Sequence, residues 1–396
     1  MSKQKLIILF TVLIDVIGVG IVIPILPFYV KTFGAPPWVI TLLFSAFSFC
    51  AFFSAPFLGS LSDKIGRRIV LLASIFSTSL GWLVFAFAPN ILFLFLGRII
   101  DGLAAGNFST AQSCFIDLAK NRKERTASLG TLGAVFGIGF IIGPMLGGLL
   151  SSFSHRVPFI FVGILALANF LLALIFLPET LQKREKNKKI NFNPFLPFKN
   201  AFRKKSLGGV FSAWFLFGLT MATMQAILAL YLAKVFHWQA SQVSFLIVAF
   251  GLILAFNQGV ALKHFWLKKF AESDLILAMF VISCFCYLLM TRSILSLFLV
   301  AVFIGAFSES VLRVVLTSRA VGLSGEEKRG ETLGVLSSII SLAMILGPIS
   351  SGFLFQIKSS LPFFASAFYG FLALMIMFYF LRKNKGRKKE LAVKAK

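Results

Sequence analysis

Charged residues are scarce in this chain of 396 amino acids. They make up 13% of it, and only 14 residues are Asp or Glu, whereas soluble domains carry roughly a quarter charged residues. The low charge excludes an ordinary soluble globular protein.

Residues suited to metal binding, disulfides or catalysis are also few. The four cysteines lie within apolar runs and lack the companions that a metal site needs. The chain has no Gly-x4-Gly-Lys-Ser/Thr phosphate loop, so ATP is not expected to drive its function. We find no catalytic cluster and predict neither enzymatic activity nor a cofactor.

Long apolar runs dominate what is present. Hydrophobic residues make up 58% of the chain, and about 20 of them in a row suffice to cross a bilayer as a helix. The first run is too long for a signal-peptide core and is interpreted as a retained helix. The fold class predicted is an all-α polytopic membrane protein of twelve transmembrane helices, near residues 6–30, 38–60, 69–88, 91–119, 127–150, 157–178, 207–235, 239–262, 273–290, 294–320, 332–356 and 362–381.

The net charge of +25 has an uneven distribution. Most Lys and Arg residues fall in the N-terminus, in alternate loops and in the tail, which is the positive-inside pattern. The pattern predicts a multi-pass membrane protein with both termini in the cytoplasm. It indicates a lipid bilayer as the partner and argues against nucleic acid.

One long polar stretch interrupts the apolar runs. Residues 182–206 are basic and contain Pro194 and Pro197, which is typical of a linker. The predicted domains are an N-terminal six-helix half, 1–181, and a C-terminal half with a basic cytoplasmic tail, 207–396.

An internal repeat supports this division. An offset of 204 residues places Gly143-Pro144 on Gly347-Pro348 in the fifth and eleventh predicted helices. Duplicated six-helix halves are typical of transporters that alternate access by rocking. A channel needs no such symmetry, and a membrane enzyme would need a catalytic cluster.

The loop after the second predicted helix carries a dense motif. It reads Gly59-Ser-Leu-Ser-Asp63-Lys-Ile-Gly66-Arg67-Arg68. The glycines permit a tight turn, and Asp63 is predicted at or near the start of the third helix. Arg67 suits a carboxylate partner, for which Asp117 is the candidate. We interpret the set as a cytoplasmic gate, and the alternative is a simple positive-inside loop.

Ionisable residues within the spans are expensive and indicate function. Asp15 and Asp101 both fall near the middle of their helices, so they can face one cavity, and Arg98 lies one turn from Asp101. Carboxylates in this setting suit proton exchange. The alternative is a static Arg98–Asp101 pair.

Polar residues of the remaining spans are candidates for a substrate cavity. Glu309 and Arg313 lie four residues apart, and a structural ion pair is the favoured interpretation, with a substrate or proton role as the alternative. The candidate cavity set is Asn107, Gln112, Gln225, Asn257, Gln258, Glu309 and Arg313.

The fifth predicted helix is rich in glycine. Small residues four apart let helices approach closely, and a proline within the helix permits a bend. The residues concerned are Gly133, Gly137, Gly143, Pro144, Gly147 and Gly148.

These motifs resemble those of the major facilitator superfamily, and in particular its drug:proton antiporters, including the tetracycline exporters. The resemblance is carried by the loop 59–68 and by Asp15 through Pro27. It is also carried by Gly97 through Asn107, Gly133 through Gly148 and Leu177 through Thr180. It implies the fold of that family, two pseudo-symmetric six-helix halves. It also implies that Arg98 assists proton transfer and that the bend at Gly143-Pro144 seals the path against proton leak.

The sequence departs from the tetracycline exporters in the third helix. Their acidic residue is absent from Ser79-Leu80-Gly81-Trp82, which argues against tetracycline–metal recognition.

The function predicted is secondary active transport. We expect a proton-coupled antiporter, driven by the proton gradient, that exports a small amphipathic solute such as a drug, a siderophore-like compound or a metabolite. A proton-coupled importer and a non-transporting receptor or scaffold are the alternatives. We expect a monomer.

Overall fold

The computed structural model describes residues 3–105, 107–118, 122–181, 207–324 and 329–394. Helices account for nearly all of them, as the long apolar runs predict. The predicted linker, 182–206, lies outside the described residues.

Most of the helices before the predicted linker are long. Apolar side chains occupy all faces of most of them, which is typical of helices that contact lipid as well as protein. They are α1 (Lys3–Lys31), α2 (Pro37–Ile65), α3 (Arg67–Ala86), α4 (Ile91–Leu103), α5 (Asn107–Asp117), α6 (Arg122–Ser151) and α7 (Val157–Phe176).

The helices after the linker have the same character. They are α8 (Gly208–Val235), α9 (Ala240–Phe256), α10 (Glu272–Met290), α11 (Leu295–Ser324), α12 (Arg329–Ile357) and α13 (Leu361–Lys394). The helix α9 continues as a π-helical stretch, Asn257–Trp266, and ends with the turn Leu267–Lys269.

Eleven helices among the described residues are long and apolar enough to cross a membrane. The fourth predicted span, 91–119, differs because it is divided into α4 and α5. The amides of Ala104 and Ala105 bond to the carbonyls three residues before them, which tightens the chain and ends α4. The Gly102 carbonyl accepts a hydrogen bond from Ser54 Oγ of α2 at 2.7 Å, so a neighbouring helix satisfies the terminus.

Two compact units are defined by the contacts along the chain. They are Met1–Pro194 with Leu228–Gly251, and Phe195–Ile227 with Leu252–Lys396. In the first unit, α1 packs on α6 and α7, and α3 packs on α4 and α7. In the second, α10 packs on α11 and α13. Each unit has its own buried apolar core.

Candidate functional site

The turn between α2 and α3 consists of one residue. Gly66 has φ of +119°, a conformation that a side chain disfavours, and Arg67 begins α3. The prediction that Asp63 lies near the start of the third helix is wrong, because Asp63 lies in the last turn of α2. The negative end of a helix dipole disfavours a carboxylate there, and Arg67 Nη1 compensates at 2.8 Å from Asp63 Oδ1.

Arg67 connects three elements at the predicted cytoplasmic face. Besides Asp63, its Nε donates to the Asp117 carboxylate at the end of α5, and its Nη1 donates to Ser62 Oγ at 3.0 Å. The Arg67 side chain is only 11% exposed. The structure therefore brings Asp63, Arg67 and Asp117 of the gate together, while no described residue lies within 4 Å of a Cβ built at Gly59.

Glu179, just after α7, is a functional candidate that the sequence reasoning did not include in the gate. Its Oε1 accepts hydrogen bonds at 3.0 Å from the backbone amides of Arg67, Thr180 and Leu181. Arg68 Nη2 also donates to the Leu174 carbonyl at 2.8 Å. The signal in the sequence was the Leu177-Pro178-Glu179-Thr180 ending, but nothing there indicated its partner 112 residues away.

Arg98 and Asp101 form a buried ion pair in α4. Arg98 Nη1 lies 3.1 Å from Asp101 Oδ2, and the two side chains are 4% and 10% exposed. The guanidinium carbon lies 4.4 Å from the ring centroid of Phe47 and 5.2 Å from that of Trp82. Aromatic faces thus hold the cation on two sides, and Asp101 supplies its counter-charge.

Asp15 and Asp101 line one cavity of about 150 Å³ inside the first unit. Thr78 lies beside them on the wall. The rest of the wall is almost entirely apolar, formed by Val16, Val19, Phe47, Trp82, Ala105, Phe136 and Phe140. An apolar cavity with a few convergent polar groups is typical of a small-molecule site.

The helices α3 and α4 touch through their backbones beside this cavity. A Cβ added at Gly81 would lie 2.9 Å from Asp101 Cβ, from the Asp101 amide nitrogen and from the Gly97 carbonyl oxygen. A side chain at residue 81, where tetracycline exporters carry their acid, therefore has no room here. The carboxylate of this region comes from α4 instead.

Comparison with protein families decides the assignment. The model of the Major Facilitator Superfamily matches residues 8–265 and 226–396. The chain belongs to the Major Facilitator Superfamily. As a member it is a multi-pass membrane transporter of small-molecule solutes and not an enzyme.

Curated relatives of this superfamily member include two resistance proteins. The tetracycline resistance protein, class H, of Pasteurella multocida is 30% identical over 365 residues, 90% of each chain. The quinolone resistance protein NorA of Staphylococcus aureus is 26% identical over 368 residues, 92% of this chain and 93% of that one.

Solved structures share the fold at lower identity. The nucleoside transporter NupG matches with a TM-score of 0.79 and 15% identity, over 96% of this chain and 99% of that one. The human organic anion transporter MFSD10 matches with a TM-score of 0.70 and 21% identity, over 95% and 100%.

The proline-containing part of α6 packs tightly on α1 in this superfamily member. A Cβ at Gly143 would lie 2.8 Å from the Ile17 carbonyl oxygen, and one at Gly20 would lie 2.9 Å from Pro144 Cδ. On α12, a Cβ at Gly347 would lie 2.6 Å from Ala222 Cβ of α8. The repeated Gly-Pro motif therefore makes a close helix crossing in both places.

The other glycines of α6 divide into two groups. Gly147 packs on Ile21 and Ile25 of α1, and Gly148 on Ser244 of α9. The expectation of close packing at Gly133 and Gly137 is wrong. Among the described residues nothing lies within 4 Å of a Cβ built at either position, because the close crossing begins nearer the middle of α6.

Glu309 and Arg313 pair within α11, as their spacing predicts. Glu309 Oε1 lies 3.2 Å from Arg313 Nη2, which also approaches Met221 Sδ of α8 at 3.5 Å. The Arg313 side chain remains 40% exposed.

Apart from Glu309 and Arg313, the residues predicted to line the substrate cavity differ in burial and in position along the chain. Asn257 is wrong as a lining residue, since it is fully buried. Its amide donates to the Phe307 carbonyl at 3.2 Å and accepts from Trp266 Nε1 at 2.8 Å. Gln258 is exposed, whereas Gln112 and Gln225 are half-buried. The side chain of Asn107 lies outside the described residues.

Proposed function

We propose that this transporter is a proton-coupled antiporter that exports a small amphipathic solute. The observation that supports it is the cavity in which Asp15 and Asp101 meet between aromatic walls. In this proposal the membrane is the bacterial inner membrane and both termini are cytoplasmic, which agrees with the positive-inside pattern. The chain acts as a monomer of two six-helix halves, 1–181 and 207–396, joined by the linker.

The proposed proton residues are Asp15 and Asp101, with Arg98 as modulator. A charged carboxylate in an apolar cavity is stable only when paired or neutralised. In the described arrangement Arg98 pairs with Asp101. A change of the Arg98 side-chain conformation that parts the two groups leaves a proton as the remaining means of neutralising Asp101. Protonation on one side and release on the other then couples the cycle to the gradient.

The proposed gate is the Arg67 cluster. Ion pairs of Arg67 with Asp63 and Asp117 hold α2, α3 and α5 together on one side. Their rupture accompanies opening of that side in the alternating cycle. The crossing at Gly143 and Pro144 serves as the hinge and as the seal against proton leak.

The walls of the cavity favour a solute with an aromatic or aliphatic body. Phe47, Trp82, Phe136 and Phe140 supply flat apolar surface. The names of the relatives make tetracycline and a quinolone the first solutes to test. The absence of an acid at residue 81 favours the quinolone of the two.

The test uses everted membrane vesicles acidified inside by respiration, with acridine orange reporting the pH gradient. Tetracycline, norfloxacin, ethidium and salicylate are added in turn. We expect one of them to release protons from wild-type vesicles, and this release to be lost in Asp15→Asn and Asp101→Asn. The matched control is Asp274→Asn, which removes an exposed carboxylate at the start of α10 and should leave the release intact.

Two outcomes contradict the proposal. Solute that moves with the proton flux identifies an importer. Solute exchange that persists in both Asp15→Asn and Asp101→Asn shows that neither carboxylate carries the proton.

A further inference from the structure

The segment after α7 crosses the first turn of α3. Its residues are Leu177–Leu181, of which Leu177 and Thr180 are buried, and we name it the α7 strap. Glu179 lies at its centre, and one carboxylate oxygen accepts three backbone N–H groups at 3.0 Å. Two of these amides belong to the strap itself and the third belongs to Arg67.

The contact has a clear physical basis at both ends. The first amides of a helix lack partners within it, and the positive end of the helix dipole attracts a carboxylate. Gly66 precedes α3 and has no side chain to cap it. Glu179 therefore caps the start of α3, which Gly66 cannot do. The amide that it binds belongs to Arg67, whose side chain forms the ion pairs of the gate.

A second contact runs parallel to the first. Arg68 Nη2 donates to the Leu174 carbonyl in the last turn of α7 at 2.8 Å. The end of α7 is thus held by the backbone of Arg67 and by the side chain of Arg68. Separation of α7 from α3 would release both.

We propose that Glu179 is a positioning residue of the gate. By tying the α7 strap to the first turn of α3, its carboxylate holds the Arg67 side chain between Asp63 and Asp117. The chain runs from the strap directly into residue 182, where the predicted linker begins. A displacement of the end of α7 therefore loosens the gate. The inference rests on the proposed function of the gate.

Cys114 provides a reporter of this coupling. It lies in α5 one turn before Asp117, is fully buried, and packs in the same apolar core as Leu177 of the strap. It is also within electrostatic reach of Arg67 and Glu179. Opening of the gate and release of the strap both expose its thiol.

The test is the rate at which N-ethylmaleimide alkylates Cys114 in native membranes, read by mass spectrometry. Cys286 of α10 is buried in the other unit and serves as the internal reference. In Glu179→Ala we expect Cys114 to react about tenfold faster, as for loss of a helix cap, with Cys286 unchanged. In Glu179→Gln the amide oxygen still accepts the three N–H groups, so the rate should stay close to that of the wild type.

The matched control is Glu272→Ala, which removes an exposed acid from the first turn of α10 and should leave Cys114 protected. Wild-type labelling of Cys114 in Glu179→Ala would overturn the proposal. Labelling of Cys114 that is equally fast in Glu179→Gln and Glu179→Ala would also overturn it. If the alanine variant exposes Cys286 as well, and is therefore generally loosened, the rate in Glu179→Gln relative to Glu179→Ala decides between the two results. The assay needs no transported solute, so its failure is distinct from failure of proton exchange in vesicles.

Discussion

A single methyl group at Gly81 should impair proton exchange. In Gly81→Ala the new Cβ would lie 2.9 Å from three atoms of α4, two of them backbone atoms of Gly97 and Asp101. Carbon atoms in good contact are about 3.5–4.0 Å apart, so α4 must retreat by roughly 0.5–1 Å. The retreat carries the Asp101 carboxyl group out of its place in the cavity and draws the Arg98 guanidinium away from the Trp82 ring of α3, whose centroid lies 5.2 Å from it.

The magnitude follows from the cost of overpacking. Such substitutions cost roughly 1–3 kcal/mol, which corresponds to an exchange rate about 5- to 160-fold lower if the working arrangement bears the cost. The assay is solute-induced proton release in everted vesicles, normalised to the amount of transporter in the membrane.

A matched control exists on the opposite side of α3. In Gly163→Ala the new Cβ meets Leu83 Cδ2 at 2.8 Å and Cγ at 2.9 Å, whereas the nearest backbone atom, the Leu83 nitrogen, lies 3.4 Å away. A change of the Leu83 side-chain conformation can relieve most of this contact. This variant should retain most of the exchange. If Gly81→Ala exchanges protons at the wild-type rate, Asp101 does not act from its position in this cavity.

Three further predictions concern the helix crossing, the gate and the buried cation. Gly143→Val should lower the unfolding temperature in detergent by several degrees, since a Cβ at residue 143 lies 2.8 Å from the Ile17 carbonyl oxygen and such overpacking costs roughly 1–3 kcal/mol. Gly133→Val should leave the unfolding temperature unchanged, because no described residue lies within 4 Å of a Cβ built there. In Arg67→Lys, N-ethylmaleimide should alkylate Cys114 faster than in the wild type, because an ammonium lacks the fork that reaches Asp63 and Asp117 together. An unchanged rate of alkylation would contradict the assignment of Arg67 to the gate. Arg98→Lys keeps the charge but loses the planar contact with two aromatic rings, and should slow exchange about tenfold; wild-type exchange would show that charge alone suffices.

Hydropathy predicted the positions of the membrane helices because each span must be apolar over nearly its whole length. It did not predict the break between α4 and α5. The run 91–119 is continuous in composition, whereas the end of α4 is marked by a hydrogen bond that Ser54 donates from another helix, a tertiary contact that composition does not record.

The site was predictable where function restricts the residue type. Asp15, Arg98 and Asp101 were identified because charge within a span is rare, and the structure brings the two carboxylates to one cavity. Glycine spacing was a weaker guide, since Gly137 and Gly143 look alike in sequence and only one of them meets a neighbour. Glu179 was missed because its partner is a backbone amide, which no side-chain pattern records.

The one-residue turn at Gly66 has a consequence for membrane insertion. The helices α2 and α3 have 29 and 20 residues, roughly 43 and 30 Å of helix, with no slack between them. Such a pair must enter the bilayer as one hairpin, because neither arm can be displaced far without the other. Any residue inserted after Gly66 would rotate α3 by about 100° about its axis and turn Arg67 away from its partners. An insertion scan through this turn should therefore find it the least tolerant connection of the first unit.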